Sequence, residues 1–319
     1  MLLFSNMLDK LLYQAGGQRN YPTDLSIQTE IKMKLMRMIT AGAFGLGLAV
    51  PVAAADFTGT LAKVAESGVI TIGHRESSVP FAYLDENQKP IGYSIDLCKK
   101  IVAKVAETVG KELEIKYVPV NPKTRLALMA NGTIDLECGS TTNKLSRQQQ
   151  VEYLATTFVT GTKLLVRKDS GISSVADLGG KAVALAQGTT NELAVKAAVE
   201  DLGLEVKVLP VRDHAEGMLS LETDRVDVYA TDHILLFGLI SKSKNPDDFE
   251  VVGDFLSFDP YGLMVRRNDS AFELVGKAAL ADVFRSGEID AIYSKWFDPL
   301  GVPATPLLKA SFTLNALPE

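Results

Sequence analysis

From Gly68 onward the chain switches repeatedly between two hydrophobic periods. GVITIGH (68–74) is an apolar run of strand length. The next stretch, IGYSIDLCKKIVAKVAETVG, sets Ile95, Leu97, Cys98, Ile101, Val102, Val105 and Val109 close to helical spacing. ELEIKYVPV (112–120) alternates as a strand does, NPKTRLALMANG reads as a helix ending at Gly132, and TIDLECG (133–139) reads as a third strand. A second set follows, with KAVALAQ (181–187), EVKVLPV (205–211) and VDVYAT (226–231) as strands. GTTNELAVKAAVEDLG, HAEGMLSLETDR and DHILLFGLISKS read as the helices that follow them. YGLMVRR (261–267) adds a strand, and long helical stretches run on to Trp296. The tail PLGVPATPLLKASFTLNALPE is expected to wrap the first lobe. A βαβαβ unit twice over predicts an α/β chain of two parallel-rich lobes. With 319 residues, 46% of them hydrophobic, the chain can bury a sizeable core and has the length of about two domains.

The first 55 residues do not share this rhythm. From Met33 the sequence runs MKLMRMITAGAFGLGLAVPVAAADF, with Lys34 and Arg37 as a basic start, Ile39 to Val50 as an apolar run, and Ala53-Ala54-Ala55 as small residues suited to cleavage. Residues 33–55 read as a secretory signal peptide, too short and too rich in small residues for a membrane span. Residues 1–32 lack apolar periodicity and read as an upstream extension before a true start at Met33. The mature chain then begins near Asp56.

Those 264 residues carry 28 Lys/Arg and 36 Asp/Glu, a net charge of −8. This balance argues against nucleic acid and anionic membrane surfaces, and makes any local cluster of cations informative. Cys98 and Cys138 would be exported to an oxidising compartment, where one disulfide or two inert buried cysteines are both open. There is no CxxC and no His/Cys spacing for a metal, so neither metal nor cofactor is expected.

In lobes of this kind, ligands sit beyond the carboxyl ends of the strands, where helix N-termini point. The residues there are His74, Arg75, Glu76 and Ser77; then Lys123 and Arg125; then Ser140, Thr142 and Arg147. The second half offers Gly188, Thr189 and Thr190, then Arg212, Asp213 and His214, and finally Asp232 and His233. Taken singly, most have plain explanations. An arginine early in a helix is usually solvated, Ser140 and Thr142 could be caps, Gly188-Thr189-Thr190 an ordinary turn and cap, Asp232 a helix N-cap, and His214 structural. Together they suit an anion: hydroxyls, free amides and a guanidinium fork match a carboxylate. Asp232 would be the counter-charge for an ammonium. Arg75, directly after a buried strand, is the hardest to explain as solvated. Trp296 and the methionines read as core.

The segments GHRESSVPFAYLDENQKPIGYSIDL, NGTIDLECGSTTNKLSRQQQ, QGTTNE, RDH and YATDH together resemble the periplasmic polar amino-acid-binding proteins of ABC importers, and within them the glutamate/aspartate-binding members. The likeness runs from about Thr58 to Trp296. It implies a type II periplasmic-binding-protein fold, with two lobes and a ligand cleft between them. It also implies that Arg147, helped by Thr142 and Thr190, pairs with the ligand α-carboxylate, and that Ser140 and Asp232 hold the α-ammonium. Arg75, Arg125 and His214 would receive the side-chain carboxylate. The sequence departs from the resemblance at Pro122, where a serine is expected, and at Ser94, where an acid is expected.

The expected architecture is therefore lobe one from 56–160 plus 261–319 and lobe two from 161–260, with hinge crossings near Val159–Thr162 and Asp259–Gly262. The expected role is to capture glutamate or aspartate in the periplasm, as a monomer, and deliver it to an ABC transporter permease. One rival is a dehydratase-like enzyme on the same fold, needing Glu76 or Glu137 as general acid. The other is a solute sensor that binds its ligand in the same pocket and docks on a receptor.

Overall fold

The computed structural model describes residues 57–318. The expected signal peptide and upstream extension lie outside the described residues. In chain order the elements are α1 (Gly59–Ser67), β1 (Val69–His74), β2 (Ser77–Ser78), β3 (Ala82–Leu84), β4 (Pro90–Ile91), α2 (Tyr93–Val109), β5 (Glu114–Pro119), α3 (Arg125–Ala130), β6 (Leu136–Cys138), α4 (Leu145–Gln148), β7 (Val151–Thr160) and β8 (Thr162–Arg167). They continue with β9 (Ala182–Ala186), α5 (Thr190–Asp201), β10 (Lys207–Val211), α6 (His214–Glu222), β11 (Val228–Asp232), α7 (His233–Ile240), β12 (Phe249–Val252), β13 (Asp259–Arg266), α8 (Ser270–Arg285), α9 (Glu288–Phe297) and α10 (Pro306–Asn315).

Two five-stranded sheets result, ordered β5-β1-β6-β13-β7 and β10-β9-β11-β8-β12. Each joins a parallel trio to two antiparallel strands. The sheets are thus more mixed than the repeated βαβ pattern predicts. The difference comes from β7, β8 and β12, whose irregular or short apolar runs carry no clean period. Such strands are specified by long-range pairing more than by local pattern.

The chain leaves the first sheet at Gly161, between β7 and β8, and returns through residues 253–258. The return precedes the expected Asp259–Gly262, because β13 already begins at Asp259, paired with Thr160 of β7. The two crossings are bonded to each other. The Leu256 amide donates to the Thr162 carbonyl (3.0 Å), and the Thr162 amide donates to Ser257 Oγ (3.0 Å).

Helix α2 shows how sequence becomes position. Its apolar stripe, Ile95, Leu97, Cys98, Ile101, Val102 and Val105, is buried, and it stops where Gly110 adopts φ 67°, a left-handed turn that favours glycine. Cys98 is disulfide-bonded to Cys138 at the end of β6, with Cα atoms 6.2 Å apart. One turn earlier, Ser94 Oγ donates to the Gly139 carbonyl (2.8 Å). The strand end that leads to Ser140 is thus held twice by one helix. Beneath it lies an aromatic core in which Phe81, Tyr93, Phe158, Tyr261 and Phe297 meet mostly edge to face. Helix α10 packs on β7 and α8, with Leu308 and Phe312 buried in the same core. Trp296, half-buried, packs against this core as expected and also donates its indole N–H to Asp96 (2.8 Å). Among the described residues no helix is long and apolar enough to cross a membrane.

Candidate functional site

The residues read as strand-end chemistry do stand at strand ends. Arg75 follows β1, Ser140 to Thr142 follow β6, Thr189 and Thr190 follow β9, His214 follows β10, and Asp232 closes β11. Arg125 opens α3 and Arg147 lies in α4. Parallel pairing of β1 with β5 and β6, and of β9 with β10 and β11, puts these ends on the same edge of each sheet.

They are also buried, which solvated or capping side chains would not need. Arg75 is 1% exposed, Arg125 2%, Arg147 7%, His214 2% and Asp232 3%. Arg125 Nη1 donates to the Ser140 carbonyl (3.1 Å) and to Thr141 Oγ1 (2.5 Å), leaving Nε without a hydrogen-bond partner in the protein. Arg75 Nη2, Ser140 Oγ and His214 Nε2 are likewise buried and unpartnered. Burial first, then Arg147 and Arg75, lowers the Arg125 pKa to about 10. Burial also lowers that of Arg75. Burial, then the Arg75 and Arg125 charges, hold the His214 imidazole well below its usual value, so it is neutral at pH 7. Tyr229, whose ionisation burial pushes up, keeps its proton, and its hydroxyl is hydrogen-bonded to His214 Nδ1 (2.7 Å).

Arg147 bridges the two halves. Nη1 donates to the Thr142 carbonyl (2.9 Å), and Nη2 donates to the carbonyl of Gly188, at the end of β9 in the other sheet (3.1 Å). Gly188 adopts φ 78° and approaches the Lys123 backbone so closely that a Cβ would lie 3.2 Å from its Cα. The Thr142 and Thr190 hydroxyls meet at 3.2 Å. Thr142 donates to Asp259 Oδ1 (2.9 Å), so Thr190 is the donor of that pair.

Asp232 occupies the N-cap position of α7 yet makes no cap bond. Its carboxylate instead accepts from Asn191 Nδ2 (3.0 Å) and from the Tyr261 hydroxyl. Burial, then the charge of Asp259, pushes its pKa up to about 7. Thr189 corrects the sequence expectation in part. Its hydroxyl accepts from the Glu192 amide (3.0 Å) as the α5 cap and donates to the Ala186 carbonyl (2.7 Å), so its proton is spent within the fold.

Sequence reasoning missed several participants. Glu137, considered only as a general acid, is fully buried on β6 and accepts from Thr141 Oγ1 (2.9 Å). Burial raises its pKa, while Arg125, Thr141, Arg75 and Arg147 pull it back. The neighbouring Gly139 is required sterically: a Cβ there would lie 2.3 Å from Glu137 Oε1 and 2.9 Å from Arg75 Cγ. Asn191, Tyr229, Asp259 and Tyr261 were also passed over. The one available signal was polarity inside otherwise apolar runs, as in ECG and DPYG. A recess of about 190 Å³, lined by Arg75, Asn121, Arg212 and Asp213 among others, opens beside Arg75. Among the described residues no cluster of three or more His, Cys, Asp or Glu could hold a metal.

Two α/β lobes joined by paired crossings, with buried donors from both lobes turned toward one another, define a two-lobed solute-binding protein of type II periplasmic-binding-protein fold. The chain belongs to family 3 of the bacterial extracellular solute-binding proteins, which matches residues 70–299. It is 44% identical over 252 residues to the L-glutamate/L-aspartate-binding protein of Pseudomonas aeruginosa, covering 78% of this chain and 83% of that one. It is 41% identical over 261 residues to the glutamate/aspartate import solute-binding protein of Escherichia coli, covering 81% and 86%. Among solved structures, an ancestral arginine-binding protein bound to arginine is similar with a TM-score of 0.64 and 31% identity, over 72% of this chain and 98% of that one.

Proposed function

We propose that this protein captures L-glutamate or L-aspartate between its lobes in the periplasm and delivers it, as a monomer, to the permease of an ABC importer. One observation carries the reading: Arg75 Nη2, Arg125 Nε, Ser140 Oγ and His214 Nε2 are buried polar atoms without protein partners, contributed by both halves of the chain. Buried polar atoms are rarely left unpaired, so a set of them points to a bound molecule that satisfies them. In this reading Arg147 holds the α-carboxylate, the Thr190 hydroxyl turns to it from Thr142, whose own proton stays on Asp259, and Asp232 and Ser140 hold the ammonium. Arg75, Arg125 and His214 receive the side-chain carboxylate. Thr189 contributes by capping α5 rather than through a free hydroxyl. A neutral or basic side chain would leave buried guanidinium charge unpaired, which costs several kcal/mol on the order of a broken buried pair.

The names of the Pseudomonas and Escherichia relatives support the same ligands. The signal-peptide reading of 33–55 and the extracellular character of the family support export. The protein makes and breaks no bond. Glu137, the one fully buried carboxylate facing the arginines, serves the charge balance of the site rather than an acid-catalysed elimination. A thermal-shift screen of the purified protein against all twenty amino acids tests the proposal, since a ligand of the folded state alone raises apparent stability. L-glutamate and L-aspartate should give the largest shifts. A larger shift with glutamine, lysine or arginine, or turnover of a prephenate-class substrate, would overturn it.

A further inference from the structure

The acidic side of the site holds two carboxylates, although an amino-acid ligand brings one ammonium. Asp259 is 1% exposed, and its oxygens accept from Thr142 Oγ1 (2.9 Å) and from Ser257 Oγ. Ser257 Oγ is 2.7 Å from Thr162 Oγ1, which accepts from Asn191 Nδ2 (2.7 Å), and Asn191 Nδ2 also donates to Asp232. A continuous hydrogen-bonded chain therefore runs from Asp259 to Asp232 through both crossings between the sheets.

We propose that Asp259 is a second counter-charge of the ammonium subsite, so that Asp232, held beside it, gives up its proton when the ligand ammonium enters. The inference rests on the ammonium assignment above. On binding, one carboxyl O–H bond breaks and its proton passes to water, while the ligand keeps all its ammonium protons. The groups that bear on Asp232 are Asp259 and Tyr261 from β13, Asn191 from α5 and, at longer range, Arg125 from α3. From β8, Thr162 lies in register with Asp232, while the neighbouring Lys163 sits over the Phe255 ring and acts on His233. Tyr261 stays neutral, because burial and the Asp232 charge push its ionisation far up. No cation within this set pairs directly with either acid. Burial, then the charge of Asp259, lets Asp232 hold a proton up to about pH 7, and a ligand ammonium removes the reason for it.

The test is calorimetry of L-glutamate binding in buffers of different ionisation enthalpy. The purified protein should release a proton on binding, and its affinity should fall by roughly tenfold per pH unit below about pH 7 while staying level above it. Asp259→Asn should bind more weakly at about pH 8, release no proton and show a flat profile, converging on the parent protein as pH falls. Binding without proton release in the parent protein, or a parent-like slope in Asp259→Asn, overturns the proposal. A ligand-free readout covers the remaining cases. A ¹³C carboxyl signal titrating near neutrality in the parent protein, and missing from Asp232→Asn, supports the pair, whereas all carboxyls titrating in the ordinary range overturn it. Failure of L-glutamate to bind at any pH would defeat the ligand reading and leave this carboxyl titration to decide about the pair.

Discussion

The hydroxyls of Thr142 and Thr190 lie 3.2 Å apart although 48 residues and a change of sheet separate them. Arg147 spans the same seam, reaching from the Thr142 carbonyl to that of Gly188. The polar groups of the proposed carboxylate subsite thus come from both halves of the chain. In the proposed reading, ligand binding and lobe closure are one event.

Arg147→Ala should therefore weaken amino-acid binding strongly, a loss of at least about thirtyfold, since truncating one partner of a buried charge pair costs about 2–5 kcal/mol. Arg147→Lys should restore little, because a point charge cannot span two carbonyls and a carboxylate as a guanidinium fork does. Calorimetry with L-glutamate reads both variants. Near-parent affinity in Arg147→Ala would place the α-carboxylate elsewhere.

Arg125→Ala should weaken L-glutamate far more than L-glutamine. In the proposed reading its unpartnered Nε and its neighbours Arg75 and His214 answer the ligand's second carboxylate. Equal losses for both ligands would remove Arg125 from that role.

Gly238 of α7 faces Val79 so closely that an added Cβ would lie 2.2 Å from the Val79 carbonyl oxygen. Val79 is in the segment after β2, on the side of the first sheet. Gly238→Ala must push α7 off this contact, at a cost of about 1–3 kcal/mol as for other overpacked positions. Ligand affinity should drop by roughly five- to a hundredfold, with a larger radius of gyration by small-angle scattering in the presence of ligand. Unchanged affinity and scattering would mean that the contact yields without moving the lobes.

Replacing both cysteines, Cys98→Ala with Cys138→Ala, should lower unfolding stability by about 2–4 kcal/mol, as expected for closing a loop with 40 residues of separation. The change should also loosen the strand end leading to Ser140 and weaken ligand binding. Denaturant unfolding and calorimetry on the same sample separate the two effects.

His214 makes stability pH-dependent with a definite sign. Its folded-state pKa is held well below the unfolded value of about 6.5, first by burial and then by Arg75 and Arg125. The unfolded chain then binds more protons, so stability falls as pH drops below about 6.5, by up to about 1.4 kcal/mol per unit. His74 and His233 lean the same way, chiefly through burial. His214→Gln should flatten part of this slope in denaturant titrations between about pH 5 and 7, and an unaltered slope would show that His214 is not buried neutral.

Much of the arrangement is legible in the chain itself. Strand and helix periods place Arg75, Ser140, His214 and Asp232 at strand ends, and a net acidic sequence with cations at those ends already speaks for an anionic solute. These features are local: a period, a cap or a strand end depends on residues within a few positions of one another. What the sequence leaves open is every relationship that needs a distance. The Cys98–Cys138 bond, the spent hydroxyl of Thr189, Tyr261 reaching Asp232, and Asp259 joined to it through Ser257, Thr162 and Asn191 all depend on packing. Periodicity decides which face of an element is buried, whereas only the packed sheets decide which buried polar atoms come within hydrogen-bond reach and which are left without a partner.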